Sequence, residues 1–424
     1  MSMGVIEQLL DPIPIPRVFR VAQAFERPRI TDVEAELTLR LKERDFLALV
    51  SQGQRIAITV GSRGISNQPK IVRRLVSLLK ERGASPFVIP AMGSHGGATD
   101  SGQREMLIGM GFREEEMGCP IVSSMKTVQI GTSANGLPVH IDRNASEADG
   151  IIVLNRIKQH VGFRGPYESG LMKMLAIGLG KQHGADICHD LGFGKMAENI
   201  PAIGRVVLEK AKILFAIGLV ENAYHETCRI VPLRPDEIAE TEPKLLDEAR
   251  RLAPRLLFPE LDVLVIDEIG KNISGTGFDT NAVGRYHTPF ASGGPSITRM
   301  VVLDLTEESH GNANGLGIVD FTTRRVFDKM KFDQTYPNSL TSTVPTSVKI
   351  PMVLGSDRLA IQAAIKTCNI LDKTKVRFVR IKNTNELHEI EVSESLRGMV
   401  DSTAGLEARG ASYDLAFSPE GNVL

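Results

Sequence analysis

The chain has no tryptophan, five tyrosines and only 5% aromatic residues among 424. So few flat rings leave little on which successive bases could stack, which argues against single-stranded nucleic acid as a partner. Cysteine is scarce too. Cys119, Cys188, Cys228 and Cys368 are scattered with no C-x-x-C pair, a pattern of cytosolic thiols rather than a disulfide framework. The net charge of −1 supplies no global field to gather nucleic acid or an anionic membrane, so any anion must be recognised locally. No uninterrupted apolar run approaches the roughly 18 residues of a spanning helix. The N-terminus MSMGVIEQLLDPIPIPRVFR lacks the basic-then-apolar order of a secretory signal, and a cytoplasmic location is expected. H-E-x-x-H, P-loop and G-x-S-x-G motifs are absent, and GTGFD and GLGIVD are too short for a dinucleotide fingerprint.

What remains is 42% hydrophobic and 24% charged, the composition of a globular protein. At about 150 residues per domain, two or three domains are expected. RIAITVGSRG reads as a buried strand running into a loop. IVRRLVSLLKERGA follows with Ile71, Leu75, Leu78 and Leu79 at helical spacing, Gly83 ends that helix, and PFVIPAMG is the next strand. Strand, helix, strand implies a parallel sheet. The loop GSHGGATDSGQ then opens another helix, where Asp100 and Gln103 resemble a capping box. GIIVLNRI is a further strand, and His160 lies just past its end. The proline- and charge-rich stretch 231–260 reads as a crossover helix and boundary. Beyond it LDVLVIDEIG and TRMVVLDL read as strands, GKNISGTGFD as a loop and SDRLAIQAAIKTCNIL as a helix. The predicted architecture is two α/β domains with mainly parallel sheets, 1–255 and 256–424, with the active site in the cleft between them. GSRG, GSHGG, the His160 segment and GKNISG all follow strands, where parallel α/β folds bind ligands.

Chemistry-bearing side chains gather in those loops. His95 stands in AMGSHGGATD shortly before a helix start, a natural anion site; the bland reading is a loop histidine bonded to backbone. Arg63 in VGSRG offers a fork for a carboxylate or phosphate, and a solvated surface arginine fits equally well. Lys173 lies in the apolar GLMKMLAIGLG, where desolvation would free its amine as a nucleophile, unless it snorkels to solvent. His183 and His189 could each bind nickel, zinc, copper or iron. Cys188 adjoins His189, but free cysteine is more often simply buried. His140, His225, His287, His310 and His388 read as structural or surface residues.

Taken in order, VGSRG, GSHG, His160, Lys173 and His189 resemble the nickel-dependent lactate racemase family. The resemblance runs over most of the chain and is strongest from Arg55 to His189. It implies a nickel-pincer nucleotide, a pyridinium mononucleotide that binds nickel through two sulfur arms and a ring carbon. Lys173 would tether this group and His189 would be a nickel ligand. Gly93, Ser94 and Gly96 would line the cofactor, and His95 and His160 would be the acid/base pair. Arg63 would hold the substrate carboxylate, with Lys271 of the second domain a looser anion contact. The implied activity is a racemase or epimerase that inverts C2 of a 2-hydroxy acid by reversible hydride transfer, with cofactor-biosynthesis enzymes as partners. Two departures border the expected substrate pocket. Val60 and Gly64 stand where the family usually has aspartate and proline, and the interval from His160 to Lys173 is lengthened around RGPYES. The competing readings are a zinc hydrolase using His95, His160 and His189, and a non-catalytic nucleotide- or metal-binding protein.

Overall fold

A computed structural model describes residues 4–424. The chain divides into two compact units. One comprises Arg27–Ala253 with Thr341–Thr343; the other comprises the chain up to Glu26, Pro254–Leu340 and Val344–Leu424. Among the described residues, no helix is long and apolar enough to cross a membrane.

The first unit is built on a five-stranded sheet in the order Ser85–Pro90, Arg55–Val60, Gly150–Arg156, Ile213–Glu221, Thr227–Leu233. The first four strands run parallel and the last is antiparallel to its neighbour. The first strand of the sheet in chain order, Arg55–Val60, has neighbours on both sides. The chain leaves it for Ser85–Pro90 on one flank and later returns to Gly150–Arg156 on the other. That makes a topological switch point, where side chains beyond the carboxyl ends can converge. The expected helix is Gln68–Glu81, and its Ile71, Val72, Leu75 and Leu79 are fully buried in the core beneath the sheet.

One local expectation is corrected. The helix after the glycine loop, Asp100–Gly109, is capped by Thr99, whose hydroxyl accepts from Gly102 N; Asp100 and Gln103 form no capping box. Gln103 is fully buried and points back into the loop instead. Asp100 accepts from Met125 N at 2.6 Å.

The second unit holds an eight-stranded mixed sheet. Met352–Leu354, Phe321–Thr323, Ser296–Leu305, Glu260–Ile269 and Phe378–Ile381 run parallel. Glu389–Ser393, Val18–Gln23 and Leu406–Tyr413 complete it with antiparallel pairing. The sequence places residues 1–255 in one domain, yet the strand Val18–Gln23 lies between two C-terminal strands of this second sheet. Two ladders satisfy its backbone there, and Val18, Phe19 and Val21 are buried in the second unit's core. The stretch after Val231 contributes first the end of an antiparallel strand and then the helix Ile238–Leu252.

Candidate functional site

Three adjacent parallel strands of the first unit each release a loop at their carboxyl ends. Arg63 comes three residues after Val60, His95 five after Pro90, and His160 four after Arg156. All three side chains are half-buried. The structure brings the first two into contact, with Arg63 Nη2 3.4 Å from His95 Nε2. Arg63 is hemmed in by protein, and burial, with the like charge of Arg156 second, lowers its pKa to about 10. It remains a cation at neutral pH.

The bonding of each histidine assigns its tautomer. His95 Nδ1 lies 2.8 Å from Met92 O and 3.1 Å from Ser62 Oγ. A carbonyl can only accept, so Nδ1 carries the proton and Nε2 presents a lone pair toward Arg63. His160 is arranged the other way. Gly162 N donates to its Nδ1 at 3.0 Å, which leaves the proton of the neutral ring on Nε2. One ring is thus set to accept a proton through Nε2 and the other to give one.

The RGPYES residues build a scaffold for His160. Lys158 and Ser169 exchange backbone hydrogen bonds of 2.8 and 3.1 Å, pinching the loop closed. Inside it Glu168, with no exposed surface, accepts from His160 N at 2.6 Å, Gly165 N at 3.3 Å and Arg250 Nη2 at 2.6 Å.

Lys173 ends the short helical turn Leu171–Lys173 and is followed at once by a π-helical turn, Met174–Gly178. There Leu179 N donates to Met174 O at 2.9 Å, five residues back. Such insertions in helices are frequent at functional sites. Protein surrounds the ammonium, and burial is the main cause that lowers its pKa to about 8, with the nearby Arg63 and Lys158 adding to it. Two polar contacts hold the turn. Asn155 Nδ2 donates to Gly170 O at 2.9 Å, and the buried Glu242 accepts from Met172 N at 2.9 Å. His189 ends the helix Lys181–His189. Its Nδ1 donates to Ala185 O at 2.7 Å, so Nε2 keeps its lone pair. Burial lowers the His189 pKa first and Lys173 lowers it further, which favours the neutral, ligating form. The rings of His160 and His189 flank Phe193, at 5.8 and 5.9 Å between centroids. Direct contacts and electrostatic coupling therefore link Arg63, His95, Lys173, His189 and His160 in one neighbourhood. His183 pairs elsewhere, edge-on to His140 at 4.3 Å.

The glycine loop is tight. Gly93 and Gly96 have φ of 57° and 67°, the left-handed region that glycine tolerates. A Cβ on Gly96 would lie 2.7 Å from Gln103 N. Lys271 belongs to the second unit, where its ammonium donates to Gly275 O at 2.6 Å within its own loop. It stands beside His287, buried and lowered to about 4 by desolvation and then by Lys271 itself. Among the described residues no three His, Cys, Asp or Glu side chains are grouped to hold a metal, so His95, His160 and His189 do not form a zinc triad. A single histidine with its Nε2 lone pair kept, beside a desolvated lysine, would fit a metal whose other ligands come from a tethered organic group. Glu168, Phe193, Gln103 and Glu242 were not legible as site residues, since nothing in their local sequence distinguishes them from ordinary helix and loop positions.

Residues 15–196 match the lactate racemase N-terminal domain family, a span that includes Arg63, His95, His160, Lys173 and His189 but neither Glu242 nor Lys271. Among solved structures the chain is similar to the lactate racemase apoprotein of Thermoanaerobacterium thermosaccharolyticum. The TM-score is 0.51 at 12% identity, over 87% of this chain and 99% of that one. It is also similar to a protein of Thermotoga maritima, with a TM-score of 0.53 at 12% identity over 86% of this chain and 99% of that one. At that identity these likenesses establish the fold. No curated protein sequence matches the chain.

Proposed function

We propose that this chain, whose residues 15–196 match the lactate racemase N-terminal domain family, is a racemase or epimerase of a 2-hydroxy acid that works with a lysine-tethered nickel-pincer nucleotide. The observation that carries the reading is the convergence of Arg63, His95 and His160 beyond three adjacent strands, with a desolvated Lys173 and a singly bonded His189 beside them. When bound, such a group supplies a site that takes and returns a hydride. The protein's own residues do the rest. Lys173 offers an amine that loses its proton near pH 8 and can be acylated. His189 Nε2 offers one neutral donor to nickel. Arg63 binds the substrate carboxylate, and His95 Nε2 takes the hydroxyl proton. His160 Nε2, from the other side, would give a proton to the substrate oxygen as the hydride returns to C2, and the roles exchange in the reverse direction. A positioned base of this kind contributes about 10²–10⁴ in rate.

The test uses protein produced together with the cofactor's biosynthetic enzymes. Peptide mass mapping is expected to find a nucleotide-sized adduct on Lys173, absent from Lys173→Ala. A 2-hydroxy acid deuterated at C2 is expected to keep its label in the inverted product. Complete washout of deuterium into water would defeat the hydride mechanism, and an adduct on another lysine would overturn the tether.

A further inference from the structure

Beneath the glycine loop the first unit buries a cation that the proposed chemistry does not use. Lys181 is 0% exposed and has φ 55°, a left-handed conformation in a residue that is not glycine. Such strain persists only where the surroundings over-determine it, and here they do. Lys181 Nζ donates to Pro90 O at 2.6 Å and to Gln103 Oε1 at 2.7 Å, and lies 3.4 Å from Asp142 Oδ2. Two hydrogen-bond acceptors and one carboxylate thus surround the ammonium. Pro90 is the last residue of the strand that releases the loop, and Gln103 lies in the helix that receives it.

The far end of Gln103 completes the connection. Its Nε2 donates to Gly93 O at 2.9 Å and to His95 O at 3.0 Å. A carboxamide has one accepting end and one donating end, so a buried cation on Oε1 decides which way it faces. Both donor hydrogens are thereby directed at the loop, one to the carbonyl before Ser94 and one to the carbonyl after it. We infer that Lys181 and Gln103 are positioning residues: Lys181 orients the Gln103 amide, and the amide clamps the two carbonyls that bracket Ser94, fixing the loop that presents His95 Nε2. Lys181 also begins the helix that ends in His189. One helix therefore supports the His95 loop at one end and carries the candidate nickel ligand at the other. The Lys181 ammonium is fully buried, bonded to two acceptors and paired with a carboxylate, which is a further reason to place the tether on Lys173. The clamp is a statement about the loop; its value for turnover rests on the role proposed for His95.

Two variants separate the clamp from general stability. Gln103→Glu keeps an acceptor for Lys181 but offers no N–H to the loop. The double variant Lys181→Met with Asp142→Asn removes the buried cation together with the carboxylate it would strand. Amide hydrogen exchange read by mass spectrometry should quicken about tenfold or more in residues 91–99, as expected when a buried hydrogen bond is lost. Exchange in the strand Gly150–Arg156 should be unchanged. In the cofactor-loaded enzyme kcat should fall with KM unaltered. Unchanged exchange at 91–99 in both variants would overturn the clamp, and so would equal acceleration throughout the unit, the mark of a merely structural role. Local acceleration with kcat preserved would uphold the clamp and remove His95 from the reaction.

Discussion

A lysine amine is a poor nucleophile at neutral pH because its proton leaves only near pH ~10.4. The setting of Lys173 changes that. Burial lowers its pKa to about 8, so a substantial fraction is neutral slightly above physiological pH. Limited acetylation across a pH series, followed by peptide mass mapping, should show Lys173 half-maximally reactive near pH 8, with surface lysines rising only at higher pH. A half-point near 10 would mean that the amine is solvated and unsuited to acylation. His189 and His183 lie six residues apart on one helix and illustrate how little the residue type alone says. His189 has Nδ1 anchored to Ala185 O and Nε2 available, whereas His183 is exposed and stacked edge-on against His140. Nickel content of the loaded enzyme should be lost in His189→Ala and kept in His183→Ala; the reverse would place the ligand a turn and a half earlier.

At the scale of elements, the lysine turn depends on a partner that comes from a distant helix. Glu242 of Ile238–Leu252 is 1% exposed, accepts from Met172 N, and has its pKa raised by burial to about 7. Its other oxygen would lie 2.0 Å from a Cβ on Gly170, so only glycine fits at that position. A carboxyl with a raised folded pKa releases its proton first in the unfolded chain. Its contribution is therefore fully present below about pH 4.3, the unfolded value, and is lost as pH rises through 7. Urea unfolding of the wild type should lose about 2–3 kcal/mol between pH 5 and pH 8 from this group. Glu242→Gln, which cannot ionise, should show a correspondingly flatter profile. Equal slopes in the two proteins would mean that Glu242 is solvated.

For the whole molecule, the strand Val18–Gln23 ties the beginning of the chain to its end. It pairs with Glu389–Ser393 on one side and Leu406–Tyr413 on the other, and burial of Val18, Phe19 and Val21 contributes about 1.5–3 kcal/mol per large side chain. A fragment spanning 254–424 would carry an open edge at Glu389–Ser393 and a detached last strand. Such an edge invites aggregation. The fragment should be insoluble or unfolded when produced alone and should recover native circular dichroism when the segment 4–26 is supplied. A fragment that folds without that segment would show the strand to be dispensable.

By itself the sequence determined the local alternation of strand and helix. A run such as IAITV and the spacing of Ile71, Leu75 and Leu79 select their own structure within a dozen residues. It also located the loops that carry Arg63, His95 and His160, because glycine-rich segments after strands follow from the same local pattern. Only the tertiary structure decided what surrounds them. The pairing of Val18–Gln23 with strands far along the chain, such as Val18 with Ser393 and Ala22 with Glu389, depends on which distant edge offers a matching ladder and core. The cap at Thr99 rather than Asp100, the turning of Gln103 into the loop, the enclosure of Lys181 by Pro90, Gln103 and Asp142 and the support of His160 by Glu168 all depend on contacts beyond the local sequence pattern. The lowered pKa of Lys173 has the same origin, because desolvation is a property of the atoms packed around a group and those atoms come from many parts of the chain.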